Sequence, residues 1–210
     1  MPKTHNSISV IIIDDHAVLR AGLSSLLGTK PEIKVVGEAG DGETGIALAR
    51  QLEPDVAIVD LMMPDMDGVE TTRRIRQESP RTNVLIFTTY GSSNDLSLAL
   101  KAGACGALVK NAELPELLSA LRAVANGQKV ISPDIKQLLA KARPIPQLSP
   151  RQSEILDFIT RGLSNQGIAQ EIGISIPMVK EHLNALFEKL GAANRTEAVA
   201  IALRKHLLKI

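Results

Sequence analysis

The sequence is nearly devoid of aromatic residues, with three Phe, one Tyr and no Trp in 210 positions. Its core must therefore be built from Leu, Ile, Val and Ala. It has a single cysteine, Cys105, so no internal disulfide can form and a reducing cytoplasm is the expected setting. No apolar stretch approaches the ~18–20 residues that span a bilayer, and the opening MPKTHNSIS has no apolar signal core. No membrane association is expected. Excess charge of either sign is lacking too: 24 Lys and Arg stand against 23 Asp and Glu. With 44% apolar and 22% charged residues, the composition excludes disordered, collagen-like and fibrous classes. The length suits one large or two small domains, at roughly 100–200 residues each.

The near-neutral balance conceals a division. Residues 1–128 carry 12 basic and 16 acidic side chains, a net of −4, whereas residues 129–210 carry 12 and 7, a net of +5. Of that excess, +3 falls in 129–147 and only +2 from Leu148 onward. Such asymmetry suggests two modules, the basic one facing a polyanion.

The first half repeats a two-beat pattern. Apolar, β-branched runs at Ser9–Ile13, Ile33–Val36, Val56–Val59, Val84–Phe87 and Ala107–Val109 read as strands. Segments with helical spacing lie between and after them, at Val18–Leu27, Gly42–Gln51, Val69–Arg76, Leu96–Ala102 and Leu114–Ala125. Nearly uninterrupted apolar strands alternating with helices predict a doubly wound α/β domain, with a five-stranded parallel sheet covered on both faces. Residues 129–147 contain Pro133, Pro144 and Pro146 and read as a linker, with a short helix from Ser132 to about Lys141. From Leu148 the pattern is all helical. Ser149, Ser164 and Ser175 stand at helix starts, Gly162, Gly173 and Gly191 at helix ends, and Asn194 opens the last helix. Val179, Leu183, Leu186 and Leu190 form a buried stripe on the third of four helices, and the middle pair reads as a helix-turn-helix.

The most telling residues follow the strands: Asp14 and Asp15 after the first, Asp60 after the third, Thr88 and Thr89 at the fourth, Lys110 after the fifth. In an open parallel sheet ligands bind beyond the carboxyl ends of the strands, so these groups should converge. Clustered carboxylates repel unless a cation is present, and oxygen-only donors suit a hard ion, Mg²⁺. A lysine and a hydroxyl beside them can stabilise a transferring phosphoryl group, with a carboxylate as nucleophile. Any one of these residues alone reads more simply as a helix cap or a solvated side chain. It is the set that speaks for chemistry.

With Val10–His16, Asp55–Gly68, Thr88-Thr89 and Leu108–Lys110, residues 7–127 resemble the receiver domain of two-component response regulators. The resemblance implies a flavodoxin-like fold, with Asp60 as phospho-acceptor from a sensor histidine kinase. It implies Mg²⁺ held by Asp14, Asp15, Asp60 and the Met62 carbonyl, and phosphoryl oxygens bound by Thr88 and Lys110. The sequence departs from the family where an aromatic residue usually stands, at Ala107, with Tyr90 nearby; Asn111 replaces the proline that often follows the lysine. Asp65-Met66-Asp67 resembles a phosphatase DxD motif, but Asp60 already ends the strand, so a loop role is expected. Gly68 reads as a turn glycine with positive φ, and His16 and Cys105 as structural.

Residues 148–208, through Leu148–Leu156, Gly162–Ala169, Val179-Lys180-x-His182 and Lys189–Ala198, resemble the LuxR-type DNA-binding domain. Joined to a receiver, it is identified as a member of the NarL/FixJ subfamily. Outward on the third helix stand Lys180 for guanine or phosphate, Asn184 for adenine, and Glu181, which either accepts from cytosine or repels phosphate. Gly167 departs from the family's usual glutamate. The last helix carries Ala198, Ile201, Ala202 and Leu208; they pack the bundle, and the resemblance implies pairing of two copies on double-stranded DNA.

The expected organisation is thus a receiver over 1–128, a linker over 129–147 and an all-α four-helix domain over 148–210. The expected function is phosphorylation-controlled transcription regulation as a dimer in the cytoplasm, not turnover of an external substrate. Control by protein contacts instead of phosphate is the alternative, and a metal-dependent phosphatase is a third reading.

Overall fold

The computed structural model describes residues 7–89, 92–140, 148–204 and 207. The chain divides into two compact units, residues 1–142 and 143–210.

The first unit alternates β1 (Ile8–Ile13), α1 (Ala17–Gly28), β2 (Ile33–Ala39), α2 (Gly42–Leu52), β3 (Val56–Val59), α3 (Gly68–Glu78), β4 (Asn83–Thr88), α4 (Ser93–Ala102), β5 (Gly106–Val109) and α5 (Leu114–Ala125). All strand pairs are parallel. Successive strand residues point to opposite faces. Ile11, Ile13, Ala57, Val59, Val84, Ile86 and Ala107 therefore share one core with Ile46 and Ala49 of α2, Val69 and Ile75 of α3, and Leu96 and Ala99 of α4. Val10, Ile12, Val56, Ile58, Leu85, Phe87 and Leu108 share the other with Leu23 and Leu27 of α1 and Leu117, Leu121 and Val124 of α5. Each fully buried Ile or Leu contributes roughly 1.5–3 kcal/mol.

The sheet has six strands, not five, in the order β2-β1-β3-β4-β5-β6. The added β6 (Val130–Ile131) pairs with β5, and α6 (Pro133–Ala140) follows, held at its start by the Ser132 hydroxyl accepting from Ile135 N. Ile135 is 1% exposed and belongs to the core that contains Ala107. Residues 129–140 are thus part of the first unit, and the reading of 129–147 as a linker is corrected to that extent. A proline-containing segment joins a core here because Pro133 lies in the first turn of α6, where its missing N–H costs no hydrogen bond. Residues 141–147 and Tyr90 lie outside the described residues.

The second unit is α7 (Pro150–Thr160), α8 (Asn165–Ile172), α9 (Ile176–Leu190) and α10 (Arg195–Arg204). Ser149 and Gln152 form a reciprocal capping box, and Ser164 Oγ accepts from Gly167 N at 3.1 Å. Ser175 precedes α9 but makes no capping hydrogen bond; Pro177 removes one of the two amides such a cap would use. Gly162, Gly173 and Gly191 all take positive φ at helix ends, as their spacing implied. The stripe Val179, Leu183, Leu186 and Leu190 is buried against Ile155, Leu156, Ile159 and Ile168. Ala198, Ile201 and Ala202 are buried in the same core, so they are spent on the bundle. Leu203 on α10 is exposed, and Leu208 lies outside the described residues.

Candidate functional site

The strand order reverses direction between β1 and β3, and this switch point brings the ends of those strands together. Asp60 N donates to Ile13 O at 2.8 Å, which sets Asp60 beside the Asp14-Asp15 turn. Asp14, Asp15, His16 and Asp60 each offer a ligand atom, all within 4.8 Å of one another. Asp14 and Asp60 are each 3% exposed. Lys110 N donates to Thr88 O, tying the ends of β4 and β5, and Lys110 Nζ reaches Asp14 Oδ2 at 2.7 Å and Asp60 Oδ2 at 2.8 Å. The structure therefore gathers Asp14, Asp15, Asp60, Thr88 and Lys110 on one patch. Met62 follows in the β3–α3 connection with its side chain exposed.

Charge dominates this pocket. Burial works against the Lys110 ammonium, but hydrogen bonds to Asp14 and Asp60 and their negative charges outweigh it, so it titrates above the ordinary lysine value. Asp60 Oδ1 accepts from Leu61 N, and Asp14 Oδ1 from His16 N, which leaves the second oxygen of each to Lys110. In this pocket the buried atoms Asp15 Oδ1 and Thr88 Oγ1 have no hydrogen-bond partner among the described residues. His16 Nδ1 lies 2.8 Å from Asp15 Oδ1 without hydrogen-bond geometry, a charge contact that exists only when the imidazole is protonated. An unpartnered carboxylate oxygen fits a hard cation, and an unpartnered hydroxyl fits an anionic oxygen. Three carboxylates against one lysine also leave room for a divalent charge.

Three features of this site were not read from the sequence. His16 joins the acidic cluster, whereas the sequence reads as giving it a structural role; its position one residue past Asp15 is the available signal. Arg20, one turn into α1, donates through Nη1 to the Asp14 carbonyl at 2.5 Å and pins the β1–α1 turn. Gly68 does not take positive φ; Asp65 does, at 61°. Glycine is required at 68 because a Cβ there would stand 2.3 Å from the Asp60 carbonyl oxygen. Asp67 caps α3 by accepting from Glu70 N, as a loop role for the Asp65–Asp67 run implied.

In the second unit, Lys180, Glu181 and Asn184 are all exposed on α9, opposite its buried stripe. They form a polar outer face on the second helix of a helix-turn-helix.

Known proteins carry both units in this order. Residues 10–122 match the family described as response regulator receiver domain, and residues 146–202 match bacterial regulatory proteins of the luxR family. The nitrate/nitrite response regulator protein NarL of Escherichia coli K12 is 38% identical over 199 residues, covering 90% of this chain and 92% of its own length. The response regulator protein VraR of Staphylococcus aureus is 36% identical over 208 residues, 97% of this chain and all of its own. Among solved structures, RcsB of Salmonella enterica serovar Typhimurium, bound to promoter P1flhDC with the phosphomimetic BeF₃⁻, superposes with TM-score 0.71 at 28% identity, covering 95% of this chain and 99% of that one. With both family models matched in order and relatives aligned along nearly its whole length, the chain belongs to the response regulators of the NarL/FixJ type, a receiver domain followed by a LuxR-type DNA-binding domain.

Proposed function

We propose that this protein accepts a phosphoryl group on Asp60 from a sensor histidine kinase and in response regulates transcription by binding double-stranded DNA as a homodimer. A carboxylate oxygen of Asp60 forms the new P–O bond while the P–N bond of the kinase phosphohistidine breaks. The electron pair passes to the imidazole nitrogen, which takes up a proton. Thr88 Oγ1 donates to a phosphoryl oxygen, and Lys110 Nζ turns from the carboxylates toward the same group. Mg²⁺ is the expected resident ion, held by Asp14, Asp15, Asp60 and the Met62 carbonyl, and when bound it neutralises charge on the phosphoryl oxygens. The observation that carries this reading is the Lys110 ammonium bridging Asp14 and Asp60, while Lys110 N bonds the carbonyl of Thr88, whose buried hydroxyl has no hydrogen-bond partner among the described residues.

Phosphorylation adds charge at the strand ends and shifts a pre-existing equilibrium between two states. In the DNA-binding unit, Lys180 and Asn184 face base edges or phosphates from one flank of α9, and Glu181 is exposed on the other. A unit with a net charge of only +2 binds DNA weakly alone, so pairing on a palindromic site supplies most of the affinity. Among the described residues no helix is long and apolar enough to cross a membrane. A cytoplasmic setting is part of the proposal and rests on the expected sensor-kinase and DNA partners. Asp60→Asn is expected to abolish phosphodonor-dependent DNA binding, read by fluorescence anisotropy of a labelled operator. Wild-type affinity that is identical with and without a phosphodonor would sink the switch and favour control by protein contacts. Mg²⁺ with beryllofluoride, followed by size-exclusion chromatography, tests dimerisation separately.

A further inference from the structure

The first turn of α9 exposes two large apolar side chains. Met178 is 47% exposed and Ile176 41%; with Leu203 on α10 they are the large exposed hydrophobics among the described residues of this unit. Helical spacing sorts the outer face of α9 into flanks. Met178, Glu181 and Ala185 follow one another at i, i+3 and i+7, all exposed, while Lys180 and Asn184 lie at i and i+4 on the other flank. Lys180 and Asn184 are read against guanine, adenine or phosphate, and Glu181 against cytosine. The exposed thioether of Met178 has no such role.

We infer that Met178 is a specificity-determining residue that reads the 5-methyl group of a thymine in the major groove. This rests on the DNA-binding reading of α9 proposed above. Three observations favour a base edge over other occupants. Met178 lies in the first turn of the helix, the end that meets bases when a recognition helix enters the groove. It adjoins Glu181 at i+3 on the same flank, so a groove that covers Glu181 also covers Met178. The exposed charged residues of α9, Lys180, Glu181, Glu188 and Lys189, cancel, so phosphate attraction contributes little there and discrimination falls to neutral contacts. The one apolar group displayed by base edges in the major groove is the thymine methyl, and a flexible thioether side chain conforms to it.

The test uses the full-length protein with Mg²⁺ and beryllofluoride, and a duplex selected from a random pool. Each thymine of the selected half-site is replaced in turn by deoxyuridine, which deletes only the methyl. One position is expected to weaken wild-type binding about fourfold per half-site. That is the loss of one buried methyl-sized group, roughly 0.8 kcal/mol at 1.4 kcal/mol per tenfold. Met178→Ala is expected to bind the thymine and deoxyuridine duplexes equally, and Met178→Thr, which keeps only a small methyl, to show an intermediate ratio. Thermal melting of both variants is expected to match wild type, because the side chain is exposed. A selected duplex with no methyl dependence overturns the inference, as does a dependence that persists in Met178→Ala; exposed Met178 then serves a protein contact instead. If no duplex is enriched, the DNA-binding reading fails and takes this inference with it.

Discussion

The two units use the same apolar side chains and differ in what they place at their ends. The receiver ends its strands in carboxylates and a lysine, and caps α2 and α3 with Asp41 and Asp67. The LuxR-type unit starts α7 and α8 with serines and ends three helices on glycines. At these helix starts the first unit uses titratable carboxylates and the second neutral hydroxyls, and among the described residues only the first also buries carboxylates, at Asp14 and Asp60. A switch that responds to a doubly charged ligand needs electrostatic work stored at the site. A reader that must keep one shape does not.

Removing the charge balance of the receiver should separate the units most. Lys110→Ala leaves Asp14 and Asp60 facing each other with 4% or less of each side chain exposed, and breaking a buried ion pair costs about 3–5 kcal/mol. Differential scanning calorimetry is expected to show the receiver transition lowered and the second transition unmoved, with Mg²⁺ recovering part of the loss. Because the folded-state pKa of Lys110 is raised above 10.5, its contribution is fully present below that value and disappears as pH rises through the folded value. Alkaline melting above pH 10.5 should therefore affect the first unit before the second.

Gly68→Ala comes next. A Cβ at 2.3 Å from the Asp60 carbonyl and 2.7 Å from Leu61 Cα forces the β3–α3 connection to move, at about 1–3 kcal/mol. Isothermal titration is expected to show weakened Mg²⁺ binding, a result that a general loss of stability would not give in protein that remains folded. A smaller effect contrasts the caps. Asp41→Ala and Ser164→Ala each remove one capping oxygen, worth about 1 kcal/mol. The Thr44 backbone N–H and hydroxyl hold the Asp41 carboxyl below its usual 3.8, so its contribution is present above that value and is lost as pH falls through the folded value. The cost of Asp41→Ala should vanish in acid, and that of Ser164→Ala should not. Smallest of all, Gly167→Ala should stabilise the second unit by up to about 1 kcal/mol. A Cβ there meets only ordinary contacts, 3.6 Å from Ser164 Oγ and 3.7 Å from Leu163.

Much of this was legible beforehand, for identifiable reasons. Uninterrupted runs such as Val56–Val59 mark strands covered on both faces, and an Asp at the end of two of them locates the pocket without knowledge of the strand order. The helix Leu114–Ala125 was bounded by pattern alone. β6 was not legible because two residues, Val130 and Ile131, carry no period, and a strand that short is defined by its neighbour. The fit of α6 depends on a non-local fact, that β5 presents the small side chain of Ala107 toward the core that Ile135 enters. Gly68 was recognised as special for the wrong reason, since close approach between β3 and α3 leaves no local mark. Ser175 looked like a cap, and its bond is absent next to Pro177.

The sixth strand also bears on how the protein is made and handled. Val130 N and Ser132 N bond the carbonyls of Cys105 and Ala107, so during synthesis β5 remains an open edge until about 25 more residues have emerged. A receiver severed at Gln128, where the charge division invites the cut, would keep that edge permanently bare. It would also lose Ile135 from the core. Such a fragment invites edge-to-edge association with its own copies, a dimer owed to the scissors and not to phosphate.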